Sequence, residues 1–244
     1  MSSLLVYGVI RASHRDPSEE GVRFLRERRL IAVVREIDDD AVLNEDDARA
    51  YLNVLTALLA GGPVLPVQFG TVAPDEEAVR TELLRNTGED LERSLDRLEG
   101  MIELRVRIDA SPEAEIDRLL VESPDLRHVV RAHGREPLSV RVELGRQASL
   151  QLAARRDKLG EDVHSRLAVH AEAHASLATH SVTELHQAYL VRADKLGEFD
   201  DAVSALRQEL GETYEIEYVG PLPAFDFTDV EIDPNGQRRH WGWS

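Results

Sequence analysis

Gln187-Ala-Tyr-Leu-Val-Arg192, Tyr214-Glu-Ile-Glu-Tyr218 and Gly220-Pro-Leu-Pro-Ala-Phe-Asp-Phe227 decide how this chain folds. The first lies within Glu184 to Arg192, a short apolar run that reads as a strand. Phe199, Val203, Leu206 and Leu210 then recur at helical spacing from Asp194, and Gly211 stops them. In the second stretch Tyr214, Ile216 and Tyr218 alternate with Glu215 and Glu217, the mark of a half-buried strand. The third is too apolar for a solvated loop and too rich in proline for an ordinary strand.

Upstream, Ile102, Leu104, Val106 and Ile108 alternate with Glu103, Arg105, Arg107 and Asp109, which predicts a strand with one buried face. Ser111-Pro112-Glu113 opens a short helix carrying Ile116, Leu119 and Leu120. Glu122 to Pro137 is polar and reads as an irregular connection, and Arg141 to Ala178, free of proline, as one or two long helices. Strand, helix, strand, helix, strand fits a ferredoxin-like α+β sandwich with one strand left unassigned.

The N-terminal part reads as a smaller α+β unit. Leu4 to Ile10 and Leu30 to Val34 are apolar strands. Val22 and Leu25 are spaced for a short helix over Glu19 to Arg28. Ala48 to Ala60 forms an amphipathic helix with Ala48, Tyr51, Leu52, Leu55, Leu58 and Leu59 on its apolar face, stopped by Gly61-Gly62-Pro63. Val64 to Phe69 is a strand that Pro66 confines to an edge or a bulge. Pro74-Asp-Glu-Glu77 starts a helix, and Thr87-Gly-Glu-Asp90 has the form of a capping box before Leu91, Leu95 and Leu98. The expected domains are 1–100, 101–220 and a C-terminal extension over 221–244.

The chain has 244 residues with 46 acidic and 29 basic side chains, a net charge of −17. That field opposes binding to nucleic acid and to anionic membrane surfaces. No apolar run reaches the roughly 20 residues of a membrane helix. The absence of cysteine excludes disulfides, thiolate metal sites and a cysteine nucleophile. A soluble, cytoplasmic protein is expected.

Few residues look like chemistry. Glycine-rich phosphate loops and GxSxG elbows are absent. His170 and His174 stand i,i+4 on the expected long helix, with His164 before them and His180 and His186 after. Glu172 sits where a zinc-protease helix does not want its acid, and a solvated face is the simpler reading. The acids of Glu36 to Asp47 lack the fixed glycine and terminal glutamate of a calcium loop, and Asn44 reads as a helix N-cap. Trp241 and Trp243 lie in a tail that folds back, docks on a partner or stays open. No catalytic, cofactor or metal residue emerges.

The remaining landmarks are Leu4-to-Ile10, Val64-Leu-Pro-Val-Gln-Phe-Gly-Thr-Val72, Gly100-to-Ile108, Arg141-to-Gly145, Gln187-to-Arg192 and Val219-to-Phe227. In that order and at those intervals the chain resembles the GvpF/GvpL family of gas-vesicle proteins over residues 4 to 230, and is closer to an F-like member. Many members carry Trp-Gly where this chain has Leu104-Arg105, and Trp-Pro-Pro-Tyr-Ser-Phe where it has Leu222-to-Phe227; these departures bear on subtype. The resemblance implies an N-terminal α+β domain, a modified ferredoxin-like domain with a long inserted helix, no catalysis and no cofactor. It implies a role in gas-vesicle formation, with the small hydrophobic major shell protein and other gas-vesicle accessory proteins as partners. Gln68, Phe69 and Gly70, beside the kinked strand, and Phe225 and Phe227 are the candidate partner interface; packing within the protein is the competing role. A ligand-binding regulatory module on a ferredoxin-like fold is the alternative function.

Overall fold

The computed structural model describes residues 2–15, 19–131 and 137–228. Helix and sheet are mixed, with two antiparallel sheets. The chain forms two compact units. One comprises residues up to Leu104, Leu190–Asp194 and the segment from Gly220; the other comprises Arg105–Tyr189 and Lys195–Val219.

In the first unit, β1 (Ser2–Arg11), β2 (Arg23–Glu27) and β3 (Leu30–Asp38) are followed by α1 (Glu45–Leu59), β4 (Val64–Pro66) and β5 (Val72–Ala73). α2 (Glu76–Ala78) runs into a π-helical turn over Val79–Arg85, and α3 (Gly88–Arg97) follows. The sheet order is β2-β3-β1-β4, with β5 also on β1. The β1–β3 register shifts between Val6 and Gly8. That irregularity changes the phase of the alternation: Leu4, Val6 and Val9 face one core, while Leu5, Tyr7 and Ile10 face the other. β1 is therefore apolar from Leu4 to Ile10 because both faces of its sheet are covered there. Tyr51, Val54, Leu55 and Leu58 of α1 fill the core on one face; Val79, Leu83, Leu84, Leu91, Leu95 and Leu98 fill that on the other.

Three local expectations are corrected here. The helix over Glu19 to Arg28 is instead β2, hairpinned to β3 from Arg23↔Val34 to Glu27↔Leu30, with Arg28 at φ 52° in the turn. Phe24 and Leu25 thereby reach opposite cores, which a helical i,i+3 face cannot do. Leu52 of α1 is exposed, because the buried face is centred on Tyr51 and Leu55. Thr87 forms no capping box; its hydroxyl donates to the Leu83 carbonyl (2.5 Å), continuing the preceding turn. Asn44 does cap α1 as expected, accepting from the amides of Asp46 and Asp47 while the Asp47 carboxylate accepts from the Asn44 amide.

The second sheet is built from β6 (Met101–Ala110), β7 (Ala173–Ser176), β8 (Glu184–Arg192) and β9 (Tyr214–Leu222), in the order β7-β8-β6-β9. Between β6 and β7 lie α4 (Pro112–Glu122), α5 (Pro124–Arg131) and α6 (Leu138–Leu167); between β8 and β9 lies α7 (Leu196–Leu210). The irregular connection expected over Glu122 to Pro137 thus contains α5. Phe199, Val203 and Leu206 of α7 are buried, and the Phe199 ring lies 5.3 Å from that of Tyr189. The long helix stops at Leu167 rather than running to Ala178. Val163 and Leu167 are its last buried residues, and the chain then turns to pair β7 with β8. Gly160 sets the contact of α6 with the sheet: Gln187 donates to its carbonyl (3.3 Å), and the buried Tyr189 hydroxyl donates to Gln187 Oε1 (2.5 Å).

After β9 the chain returns to the first unit. Ala224 enters one of its two cores and Phe225 the other, in a tight turn over Phe225–Phe227. The Asp226 amide donates to Oε2 of Glu103 (2.8 Å). Glu103 is fully buried, so the alternation of β6 does not leave all of its acids in solvent. A buried carboxylate is tolerated because hydrogen bonds of this kind replace its water. Asp233 to Gly236 and both tryptophans lie outside the described residues.

Candidate functional site

Pro66 ends β4 because it has no N–H for the ladder. The chain then spans the gap between β4 and β5 along β1: the Val67 amide donates to the Tyr7 carbonyl and the Val6 amide to the Thr71 carbonyl, both at 2.9 Å. Gln68, Phe69 and Gly70 form the crest of this bridging loop. Gln68 and Gly70 are exposed and Phe69 is half-buried. Gly70 has φ 90°, a conformation that side-chain-bearing residues rarely adopt.

Beneath the crest, Tyr51 collects the aromatic rings. Its centroid lies 5.4 Å from Phe69, 6.1 Å from Phe225 and 5.5 Å from Tyr7, all tilted, as ring quadrupoles favour. Its hydroxyl donates to the Val67 carbonyl (2.5 Å), tying α1 to the loop, and burial pushes its phenol pKa well up. The structure thus brings Phe69 and Phe225 onto one ring. Phe227 packs instead against the opposite core, and Phe225 is an internal packing residue.

Sequence reasoning missed the rim of this loop. Val42 is 88% exposed and Val72 44% exposed, while Leu43 is half-buried against the Tyr51 core beside Phe69. A Cβ built on Gly70 would lie 3.9 Å from Leu43, so the Val42–Leu43 turn and the Phe69 crest adjoin. The available signal was an apolar Val-Leu pair inside an acidic run.

The histidines are arranged differently from expectation. His170 lies in a 3-10 turn and His174 on β7, so the two do not share a helical face. His174 instead lies tilted at 31° against the ring of His164 of α6 with centroids 3.8 Å apart, and His170 Nδ1 approaches a Glu198 carboxylate oxygen (3.6 Å). Among the described residues no group of three or more His, Asp or Glu is placed to hold a metal ion. His174 stays exposed overall; the partial desolvation it does undergo, and then the neighbouring His164 ring, lower its pKa. A depressed histidine contributes stability that is complete above its unfolded pKa of about 6.5 and is lost as pH falls through the lower folded value. Thermal melts between pH 7.5 and 5 should therefore lose less stability with acid in His174→Phe than in the wild type; parallel losses would refute the coupling.

A cleft of about 350 Å3 in the first unit is lined by Arg11, His14, Arg15, Gly61, Gly62 and Glu99, among others. Part of its polar lining serves the fold, while Nε of Arg11 is buried without a hydrogen-bond partner among the described residues. Arg11 pairs with Asp96, and both His14 ring nitrogens face carbonyls, of Arg15 (2.9 Å) and of Leu58 at the end of α1 (2.8 Å). Among the described residues no helix is long and apolar enough to cross a membrane.

The profile of the family described as gas vesicle synthesis protein GvpL/GvpF matches residues 3–229. Gas vesicle protein F of a Streptomyces species is 30% identical, over 93% of this chain and all of that protein. Gas vesicle protein L of the same source is 28% identical, over 86% of this chain and 84% of its own. Among solved structures, GvpF from an Anabaena species superposes with a TM-score of 0.77 at 17% identity, covering 94% of this chain and 99% of that one. GvpF from Microcystis aeruginosa superposes with a TM-score of 0.75 at 18% identity, covering 92% and 98%. The structures speak for the fold alone; the sequence match speaks for kinship, and this chain belongs to the GvpL/GvpF family of gas vesicle synthesis proteins.

Proposed function

We propose that this protein is a non-enzymatic accessory factor of gas-vesicle assembly that binds the small hydrophobic major shell protein and keeps it soluble until it is built into the wall. It acts in the cytoplasm and at the growing vesicle, alongside other accessory proteins. The kinship with gas vesicle proteins F and L supplies the setting. The observation that carries the reading is the apolar rim of Val42, Leu43 and Phe69 on loops of the first unit, with exposed Val72 at the start of β5. Apolar residues gathered on loops and rimmed by charge suit contact with another apolar surface. We place Gln68, Phe69 and Gly70 at that contact, with Phe225 supporting Tyr51 from beneath and Phe227 bracing the opposite core. The second unit, in this reading, is ferredoxin-like. Its succession of β6, helices, β7, β8, α7 and β9 is βαββαβ, with α6 as the long insertion. Against the regulatory-module alternative, the His14 ring and Nη2 of Arg11 in that cleft are committed to internal partners.

Mixing with refolding shell protein tests the proposal. The wild type should hold the shell protein in solution and co-purify with it, whereas Val42→Asp/Val72→Asp, which alters exposed positions, should capture less than about a tenth as much. Precipitation of the shell protein regardless of this protein, across refolding conditions, would overturn the proposal.

A further inference from the structure

We infer that the Val42–Leu43 and Phe69–Val72 rim accepts a partner segment of defined chemistry: an apolar stretch flanked by lysine or arginine. The inference rests on the proposed shell-protein binding for the identity of the natural partner, while the surface itself is argued from this chain.

Residues 38–47 read Asp-Asp-Asp-Ala-Val-Leu-Asn-Glu-Asp-Asp, with acids on both sides of exposed Val42 and half-buried Leu43 and no basic residue among them. Half of these acids are already engaged. Asp39 accepts from the Ser3 hydroxyl (2.7 Å), Glu45 pairs with Arg49 (2.6 Å), and Asp47 pairs with Arg35 (2.6 Å). Asp38, Asp40 and Asp46 are exposed and have no side-chain partner among the described residues. In sequence they flank Val42 and Leu43 on both sides, and the adjoining loop, Gln68–Thr71, contributes no charge.

An uncharged apolar segment docking here would bring three unpaired carboxylates towards a drying interface without compensation. Acidic flanks, or a second copy of this chain with the same acids, would add like-charge repulsion. Cations on either side of the apolar stretch relieve both effects. At physiological salt the screening length is about 8 Å, so only flanks that land close to these acids gain from them.

Two fluorescent peptides with one apolar core, flanked by three lysines or by three glutamates at each end, test this against the full-length protein. The lysine-flanked peptide should bind at least about tenfold tighter, with the gap narrowing as salt rises. D38K/D40K/D46K should abolish or invert the preference. E161K/E172K/D201K, which reverses the same number of exposed acids in the second unit, should preserve it. Equal binding of both peptides, or a preference that survives D38K/D40K/D46K, or one lost equally in both triple variants, overturns the inference. Shell-protein capture by the same variants separates this result from the proposed function. Capture that is indifferent to D38K/D40K/D46K, with no peptide preference, removes the inference and leaves the function standing. A peptide preference without any capture removes the function and leaves the surface chemistry standing.

Discussion

Phe225→Ala should lower the unfolding free energy by about 4 kcal/mol, within the usual range for losing a buried phenylalanine. The ring is 6% exposed and lies in the core that contains Tyr7, Tyr51, Leu55 and Val64, all themselves buried. Its removal opens a void bounded by rigid rings and by strands of a sheet covered on both faces, so collapse offers little relief. Because Tyr51 touches both Phe225 and Phe69, the bridging loop should loosen as well. Urea titration gives the magnitude. Hydrogen exchange gives the location: protection should fall first in α1 and around Val67, whose carbonyl receives the Tyr51 hydroxyl. A loss below about 1 kcal/mol would mean that the ring is not a member of this core.

Gly8→Ala should destabilise the protein by about 3 kcal/mol, the upper part of the range for overpacking. A Cβ there would stand 2.6 Å from the Leu65 carbonyl oxygen and 3.0 Å from Leu55 Cδ2. The oxygen belongs to the backbone of β4, which is paired with β1 through Val9↔Leu65, so the strand cannot yield without losing its register. The same substitution at Gly145, in α6 with nothing near its position, should instead stabilise by about 0.5–1 kcal/mol through helix propensity. Opposite signs in parallel denaturation curves would establish that the contact of β1 with β4, rather than glycine's flexibility, governs position 8.

Patterns that depend on a residue's own neighbours were readable in the amino-acid order. The alternation from Ile102 to Ile108, the helical face of Phe199, Val203 and Leu206, and the N-cap at Asn44 all express local geometry. What escaped depended on distant partners. Arg23–Glu27 is extended because β3 offers it an edge, against a helical spacing of only two apolar residues. Nothing between His164 and Ala178 breaks a helix; the helix ends where its buried contacts end. The candidate docking loop was recognisable from Pro66 and Gly70. Its Val42–Leu43 neighbour was not, because residues some 25 positions apart meet only through the fold. Phe225 and Phe227 looked alike as a repeated aromatic, yet a tight turn sends them into different cores.

The return of Ala224 and Phe225 to the first unit has a consequence for how the protein is made. Translation yields the first 104 residues early, but the last pieces of their cores emerge only after roughly 120 further residues. At typical elongation rates of about 5–20 residues per second, that is on the order of 10 s. Throughout that interval Tyr51 and Leu55 lack a lid on the ribosome. The nascent chain is thus sticky for longer than the size of that unit alone demands, and its exposure to chaperones and to neighbouring nascent chains is set by how far Ala224 and Phe225 lie from Leu104 along the chain.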